Sequence, residues 1–338
     1  MADRLAALTD WLKGLDQLGA FDMAPASDDA SFRRYFRVSC ADGRSLIAMD
    51  APPDREDLDP FLRVAEAFAR FGIHVPQVLA TERRQGFLLL SDLGSVPYLD
   101  ALNPDNVERH YGDALGALVS IQACGPQEGL PRYDRDLLWQ EMELFRDWLL
   151  GKHLGLELGA ADNAMLERTF QQLIDNALEQ PQVCVHRDFH SRNLMVSSPN
   201  PGVLDFQDAV LGPVTYDLAS LLRDCYIAWP REQVKHWVQG YFELALQSGV
   251  VRPEHEEHFQ RWFDLMGAQR HLKAAGIFAR LNLRDGKPGY LKDIPRTLGY
   301  LVEIAPEYPQ LAELAVFLQR QVLANPEFTL GSGCAKSG

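Results

Sequence analysis

The sequence predicts an α+β chain of two lobes: a small, mostly antiparallel β-sheet lobe, then a larger and mainly helical one. Three observations carry this. Two β-rich runs flank Asp42-Gly43, a dipeptide favoured in tight hairpin turns. Beyond residue 104 apolar residues recur almost throughout at helical spacing. And 338 residues are too many for one simple core.

Taken in order, Leu5, Leu8, Trp11, Leu12, Leu15 and Leu18 predict an opening amphipathic helix. Tyr35–Val38 and Leu46–Met49 predict the two strands of the hairpin. Phe61, Val64, Ala65 and Phe68 mark a second helix, ended by Val75-Pro76, and Gln77–Ala80 and Phe87–Leu90 predict two further strands. Ser91-Asp92-Leu93-Gly94 breaks the strand pattern and is the expected crossover. Helices are then expected over 104–123, 134–150, 161–179, 214–227, 231–247, 254–275 and 290–323. Between them, 183–208 alternates short apolar runs with polar loops, a setting that suits chemistry. The division is therefore 1–92, 93–330 and a frayed tail at 331–338.

Composition narrows the function. A net charge of −14 argues against nucleic acid and anionic membrane as partners. No leader-like start and no bilayer-length apolar run is found. Five scattered cysteines, Cys40, Cys124, Cys184, Cys225 and Cys334, lack any Cys-x-x-Cys pair and suit reduced thiols in a cytoplasm. A monomer is expected.

The central motif is His186-Arg187-Asp188-Phe189-His190-Ser191-Arg192-Asn193, followed by Leu204-Asp205-Phe206-Gln207-Asp208. Phosphoryl transfer to an alcohol needs a carboxylate at the attacking hydroxyl, oxygen ligands for magnesium and positive charge around the phosphates. Asp188, Asn193 and Asp205 supply the first two, with Asp188 as the catalytic carboxylate and Asn193 and Asp205 as metal ligands. Two other readings stand beside this: a transition-metal site built on His186, Asp188 and His190, or only a hydrogen-bonded polar turn. His186 and His190 are expected to brace the loop.

The motif resembles the kinase pattern H-R-D-x-x-x-x-N with its later metal-binding Asp, and His190 gives it the form found in aminoglycoside phosphotransferases and choline kinase relatives. Gly212 to Ala219 is similar to the same superfamily. The resemblance implies a bilobal protein-kinase-like fold, ATP and Mg²⁺, with 1–92 as the nucleotide-binding lobe and Asp217 bracing the catalytic loop. Asp29 to Arg37, Met49 to Pro53 and Leu204 to Ala209 resemble more narrowly the bacterial kinases that phosphorylate the anomeric hydroxyl of N-acetylmuramate and N-acetylglucosamine in peptidoglycan recycling. Only Phe206 to Gly212 separates Asp205 from Pro213, too little for a peptide-docking segment, so a small acceptor is expected.

Two parts of the kinase pattern are missing. Ser27 to Ser31 stands where a glycine-rich loop is usual, and Met49 where a phosphate-binding lysine is usual. Ser31, Phe32, Arg33 and Arg34 are expected to meet the nucleotide in their place, and Ser91, Asp92 and Leu93 to face adenine. For the acceptor, Gln207, Asp208, Glu141, Glu143, Arg270 and Lys273 are candidates; a solvated helix face is the plainer reading of the last four. An aminoglycoside antibiotic phosphotransferase and a nucleotide-binding pseudokinase are the competing functions.

Overall fold

The computed structural model describes residues 2–27 and 32–329. By its own contacts the chain forms two compact units, one running to Asp113 and including Asn193–Asp208, the other holding Ala114–Arg192 and the chain from Ala209 onward.

The first unit is built on five antiparallel strands in the order β1-β2-β3-β5-β4: β1 (Phe21–Ser27), β2 (Arg34–Cys40), β3 (Ser45–Asp50), β4 (Val78–Glu82) and β5 (Phe87–Ser91). Strand β1 was not expected. Pro25 disguises it, but an edge strand tolerates a residue with no amide proton. The β2–β3 hairpin turns at Gly43, whose φ of +87° suits glycine. Its register places Phe36 opposite Ala48 and Val38 opposite Leu46. Those four side chains join Leu89 and, from helix α1 (Ala2–Lys13), Leu8 and Leu12 in one buried cluster.

Helix α2 (Asp59–Arg70) buries Phe61, Val64, Ala65 and Phe68, as its spacing predicts. The rings of Phe61 and Phe68 pack on Phe206 at centroid distances of 4.9 and 5.8 Å. Short helix α3 (Tyr98–Ala101) and the start of α4 (Val107–Cys124) complete this unit's first stretch of chain. The unit therefore extends past residue 92, and it takes in Asn193–Asp208 for a physical reason. Val196 and Val203 amides donate to the carbonyls of Val96 and His74 at 2.9 and 2.8 Å, while Phe206 fills the apolar stripe of α2.

The second unit is mainly helical: α5 (Arg135–Leu144), α6 (Ala160–Leu178), α7 (Tyr216–Leu222), α8 (Arg231–Gln247), α9 (Glu256–Asp285), α10 (Ile294–Ile304), α11 (Ala312–Phe317) and α12 (Pro326–Thr329). A wide π-helical turn, Phe145–His153, continues α5. The 30-residue α9 is buried along most of its length and ends at Gly286 in the left-handed conformation. It runs past the expected residue 275, whereas α7 is shorter than the expected 214–227. The region 290–323 is broken into short pieces around Pro306 and Pro309. Strands β6 (Gln182–Val185) and β9 (Val210–Pro213) pair antiparallel here, while β7 (Leu194–Met195) and β8 (Gly202–Val203) pair in the first unit.

Candidate active site

In the second unit, β6 delivers the loop that carries Asp188. Asp217, in the first turn of α7, accepts the amides of His186 and Arg187 at 2.6 and 2.9 Å. Arg187 has φ +78°, a conformation costly for a side chain with a Cβ. The loop then folds on itself: the Asp188 amide donates to His186 Nδ1 at 3.2 Å and the His190 amide to the Asp188 carbonyl at 3.1 Å. Further on, Asp224 accepts the Ser191 amide at 2.9 Å. The His190 ring lies edge-on to Tyr226, and Arg192 sits 3.8 Å over the same ring.

A buried ionic cluster stands behind this loop. Glu141 on α5 is buried, not on a solvated face, and receives Tyr133, Arg187 and, at 3.0 Å, Lys273 from α9. Gln269 adds a donor at 3.4 Å, and Lys273 also donates to the Tyr216 hydroxyl at 3.0 Å. Burial would push the Glu141 carboxyl up, but Lys273 and Arg187 outweigh it and hold the carboxyl below its usual value. Lys273, which burial alone would lower, is raised by Glu141. Both remain charged.

Asp188 follows the same logic. Partial burial pushes its carboxyl up, yet the charges of Lys273, Arg270 and Arg187 hold it below the usual range. An ionised carboxylate, fixed by its own loop, is thus ready to accept a hydrogen bond or a proton. Burial lowers His190, which keeps that imidazole neutral near pH 7 and suits bracing. Arg270 and Lys273 are both buried, against the exposed-face reading. Glu143 is apart from the cluster, half-buried and 3.5 Å from Arg146.

In the first unit, Asn193 precedes β7 and Asp205 follows β8. The Leu204 amide donates to the Asn193 carbonyl at 2.9 Å, and Asn193 Nδ2 lies 3.3 Å from Asp205 Oδ2. Rotating the amide by half a turn would bring its oxygen to that position. Two neighbouring ligands of an octahedral magnesium are about 2.9 Å apart, so the pair fits as two of the few protein ligands this ion takes. Gln207 Nε2 donates to Asp205 Oδ1 at 2.8 Å and faces Asp208 at 3.4 Å; Gln207 is buried and Asp208 exposed. Among the described residues, the non-glycine residues at positive φ are Arg187 and Asp205, each within one motif. Also among the described residues, no group of three or more His, Cys, Asp or Glu side chains gathers to hold a metal. The transition-metal reading of His186 and His190 therefore has no ligand set behind it.

The expected nucleotide residues are mostly engaged. Arg33 pairs with Glu56 at 2.9 Å, and Arg34 shares the buried Asp50 with Arg4, which leaves that trio one net positive charge. Phe32 is exposed, with the Arg55 guanidinium 4.8 Å above its ring. Ser91 Oγ accepts the Gln77 amide at 2.8 Å, Asp92 holds Arg37 and Ser45, and Leu93 is buried. Ser31 lies outside the described residues. Met49 is fully buried, and no charge replaces it on β3 at that position. Asp224 and Tyr133 escaped the sequence reading. The signal for Asp224 was a charged pair, Arg223-Asp224, set directly after an apolar helix.

Residues 22–258 match the model of a phosphotransferase enzyme family. The chain belongs to that family. Among curated members, it is 49% identical to the N-acetylmuramate/N-acetylglucosamine kinase of Pseudomonas aeruginosa, over 90% of each chain. It is 47% identical to the kinase of the same name from Pseudomonas putida, over 92% of this chain and 94% of the relative. Of solved structures, the choline kinase LicA of Streptococcus pneumoniae has the same fold, with a TM-score of 0.62 at 10% identity, covering 87% of this chain and 98% of the other. In this phosphotransferase, Asp188, Asn193, Asp205 and Asp217 all lie within the matched residues, whereas Arg270 and Lys273 lie beyond them.

Proposed function

We propose that the protein transfers the terminal phosphate of ATP to the anomeric hydroxyl of N-acetylmuramate and N-acetylglucosamine, as a magnesium-dependent monomeric kinase of cytoplasmic cell-wall recycling. The observation that carries this reading is Asp188: its carboxylate stays ionised although half-buried, because the charges of Lys273, Arg270 and Arg187 outweigh the cost of desolvation. The two relatives of 49% and 47% identity support the choice of acceptor.

In this reading Asp188 orients the sugar hydroxyl and accepts its proton late, as suits a loose transition state. An anomeric hydroxyl is more acidic than other sugar alcohols, so a carboxylate is base enough. Asn193 and Asp205 would hold magnesium, which supplies charge neutralisation at the phosphates. Arg34 and Arg4, sharing one carboxylate, supply cationic character in the first unit where the usual lysine is replaced by Met49. Glu141 serves the loop through Arg187 and is not assigned to sugar hydroxyls.

Incubation with ATP and each sugar, with phosphorus NMR of the product, tests the proposal. A phosphate coupled to the anomeric proton is expected with both. ATP turnover with kanamycin and with neither sugar would move the assignment to antibiotic modification. Nucleotide binding without turnover on any acceptor would move it to a pseudokinase.

A further inference from the structure

Three Lys or Arg side chains are buried among the described residues: Arg223, Arg270 and Lys273. Arg223 meets Asp264, and Lys273 meets Glu141. Arg270 has no carboxylate at ion-pair distance among the described residues. It donates from Nη1 to Cys225 Sγ at 3.6 Å, a weak acceptor, and its Nε is buried with no partner. Burial works against its charge, yet Cys225, Tyr216, Asp188 and Asp224 keep the guanidinium cationic; what remains unmet is hydrogen bonding, which a ligand oxygen would complete.

Other unmet groups share its surroundings. His190 Nδ1 and Ser191 Oγ, on the loop that carries Asp188, are buried and lack hydrogen-bond partners. The charge of Arg270 acts on both Asp188 and His190, so the cation and the catalytic loop form one neighbourhood of the second unit. Lys273 and Arg187 are cations too, but both are taken up by Glu141. N-acetylmuramate and N-acetylglucosamine differ by one lactyl ether with a carboxylate. A planar guanidinium grips a carboxylate through two parallel hydrogen bonds. Anomeric hydroxyl and lactyl ether sit on the same ring, so an acceptor at Asp188 keeps its carboxylate within a ring's width.

We propose that Arg270 is a specificity-determining residue that binds the lactyl carboxylate of the acceptor and so favours N-acetylmuramate over N-acetylglucosamine. The proposal rests on the sugar-kinase reading above. Its location beyond the stretch matched by the family model suits a residue that reads one acceptor rather than serving phosphotransfer in general.

The test compares kcat/KM for N-acetylmuramate and for its carboxamide analogue, which keeps the shape and loses the charge. In the wild-type protein the acid is expected to exceed the amide by roughly 10- to 100-fold, mostly through KM. In Arg270→Gln that ratio is expected to collapse toward one, and Arg270→Lys to restore part of it. Equal use of acid and amide by the wild-type protein overturns the proposal. So does an unchanged ratio in Arg270→Gln, since a merely structural arginine would lower both substrates together. If Arg270→Gln fails to fold, the wild-type ratio and Arg270→Lys decide. None of these results touches the broader assignment, which fails only if the wild-type protein phosphorylates neither sugar.

Discussion

Asp217 accepts the backbone amide of His186 at 2.6 Å from 31 residues along the chain. With the Arg187 amide at 2.9 Å, this pins the residue just before Asp188 in a left-handed conformation. Burial pushes the Asp217 carboxyl up to about 7 against the pull of those two amides. Its folded value thus lies above its unfolded one. The group holds an extra proton in the folded state between the two values, so its stabilisation is present at acid pH and lost as pH rises from 3.8 to about 7. Asp217→Asn cannot titrate. The gap in unfolding midpoint between wild type and Asp217→Asn should therefore narrow as pH rises from 3.8 to about 7, and pH-scanned calorimetry would show whether it does.

Glu141 ion-pairs with two cations, Arg187 and Lys273. Glu141→Gln keeps the shape and removes the carboxylate from both ion pairs, that of the buried Lys273 and that of the half-buried Arg187, which costs about 3–5 kcal/mol. Denaturant unfolding should register that loss. Turnover should fall as well, because Arg187 adjoins Asp188. Glu143→Gln, on the same helix but paired with Arg146, should change both by little.

Helix α9 approaches α5 at Gly276, where an added Cβ would lie 2.3 Å from the Leu144 carbonyl carbon and 2.4 Å from the Phe145 nitrogen. Both are backbone atoms and cannot swing away. Gly276→Ala should force the helices apart at a cost of about 1–3 kcal/mol. Since Lys273 lies one turn before Gly276 and Glu141 lies just before Leu144, their ion pair should stretch too. The expected signature is a lowered unfolding midpoint together with lowered turnover, and an unchanged midpoint would show that the crossing has slack.

What the sequence disclosed follows from how local each signal is. The β2–β3 hairpin and the stripe of α2 are written in neighbouring residues, Asp42-Gly43 and Phe61 to Phe68, and both stand as expected. So do the elements that carry Asp188, Asn193 and Asp205, because a motif of eight residues already holds its own loop. Glu141 was misread because its burial depends on Lys273, far along the chain. Arg270 and Lys273 looked like an ordinary charged face because α9 is buried on nearly all sides and shows no apolar stripe to mark an inside. Strand β1 escaped because one proline set between Ala24 and Ala26 leaves no clear alternation of apolar and polar residues.

Asn193 and Asp205 face each other at 3.3 Å with Gln207 on the second oxygen of Asp205. Removing the carboxylate charge with Asp205→Asn should raise the magnesium concentration needed for half-maximal turnover by roughly ten-fold or more, since magnesium binds through few protein groups. Asn193→Ala should do the same more weakly. Titrating magnesium at saturating ATP and sugar measures both, and chelation should abolish wild-type turnover reversibly.

Asp188→Asn separates acceptor chemistry from everything else. The amide keeps the side chain's shape and its place between the His186 and His190 contacts of the loop. It cannot take a proton, and it no longer offers charge to an attacking hydroxyl. General-base losses run to about 10²–10⁴-fold in turnover. Nucleotide affinity should stay near wild type, because the residues that would hold metal, Asn193 and Asp205, keep their own contacts in the first unit. Stability carries a second signature. The Asp188 carboxyl is held below its unfolded value, so its contribution is present near neutral pH and lost as pH falls through the folded value. Asp188→Asn should consequently flatten the acid limb of the stability curve while abolishing turnover. A variant that lost nucleotide binding in equal measure would place Asp188 on the metal or in the fold, and the acceptor-side role would have to go to another residue.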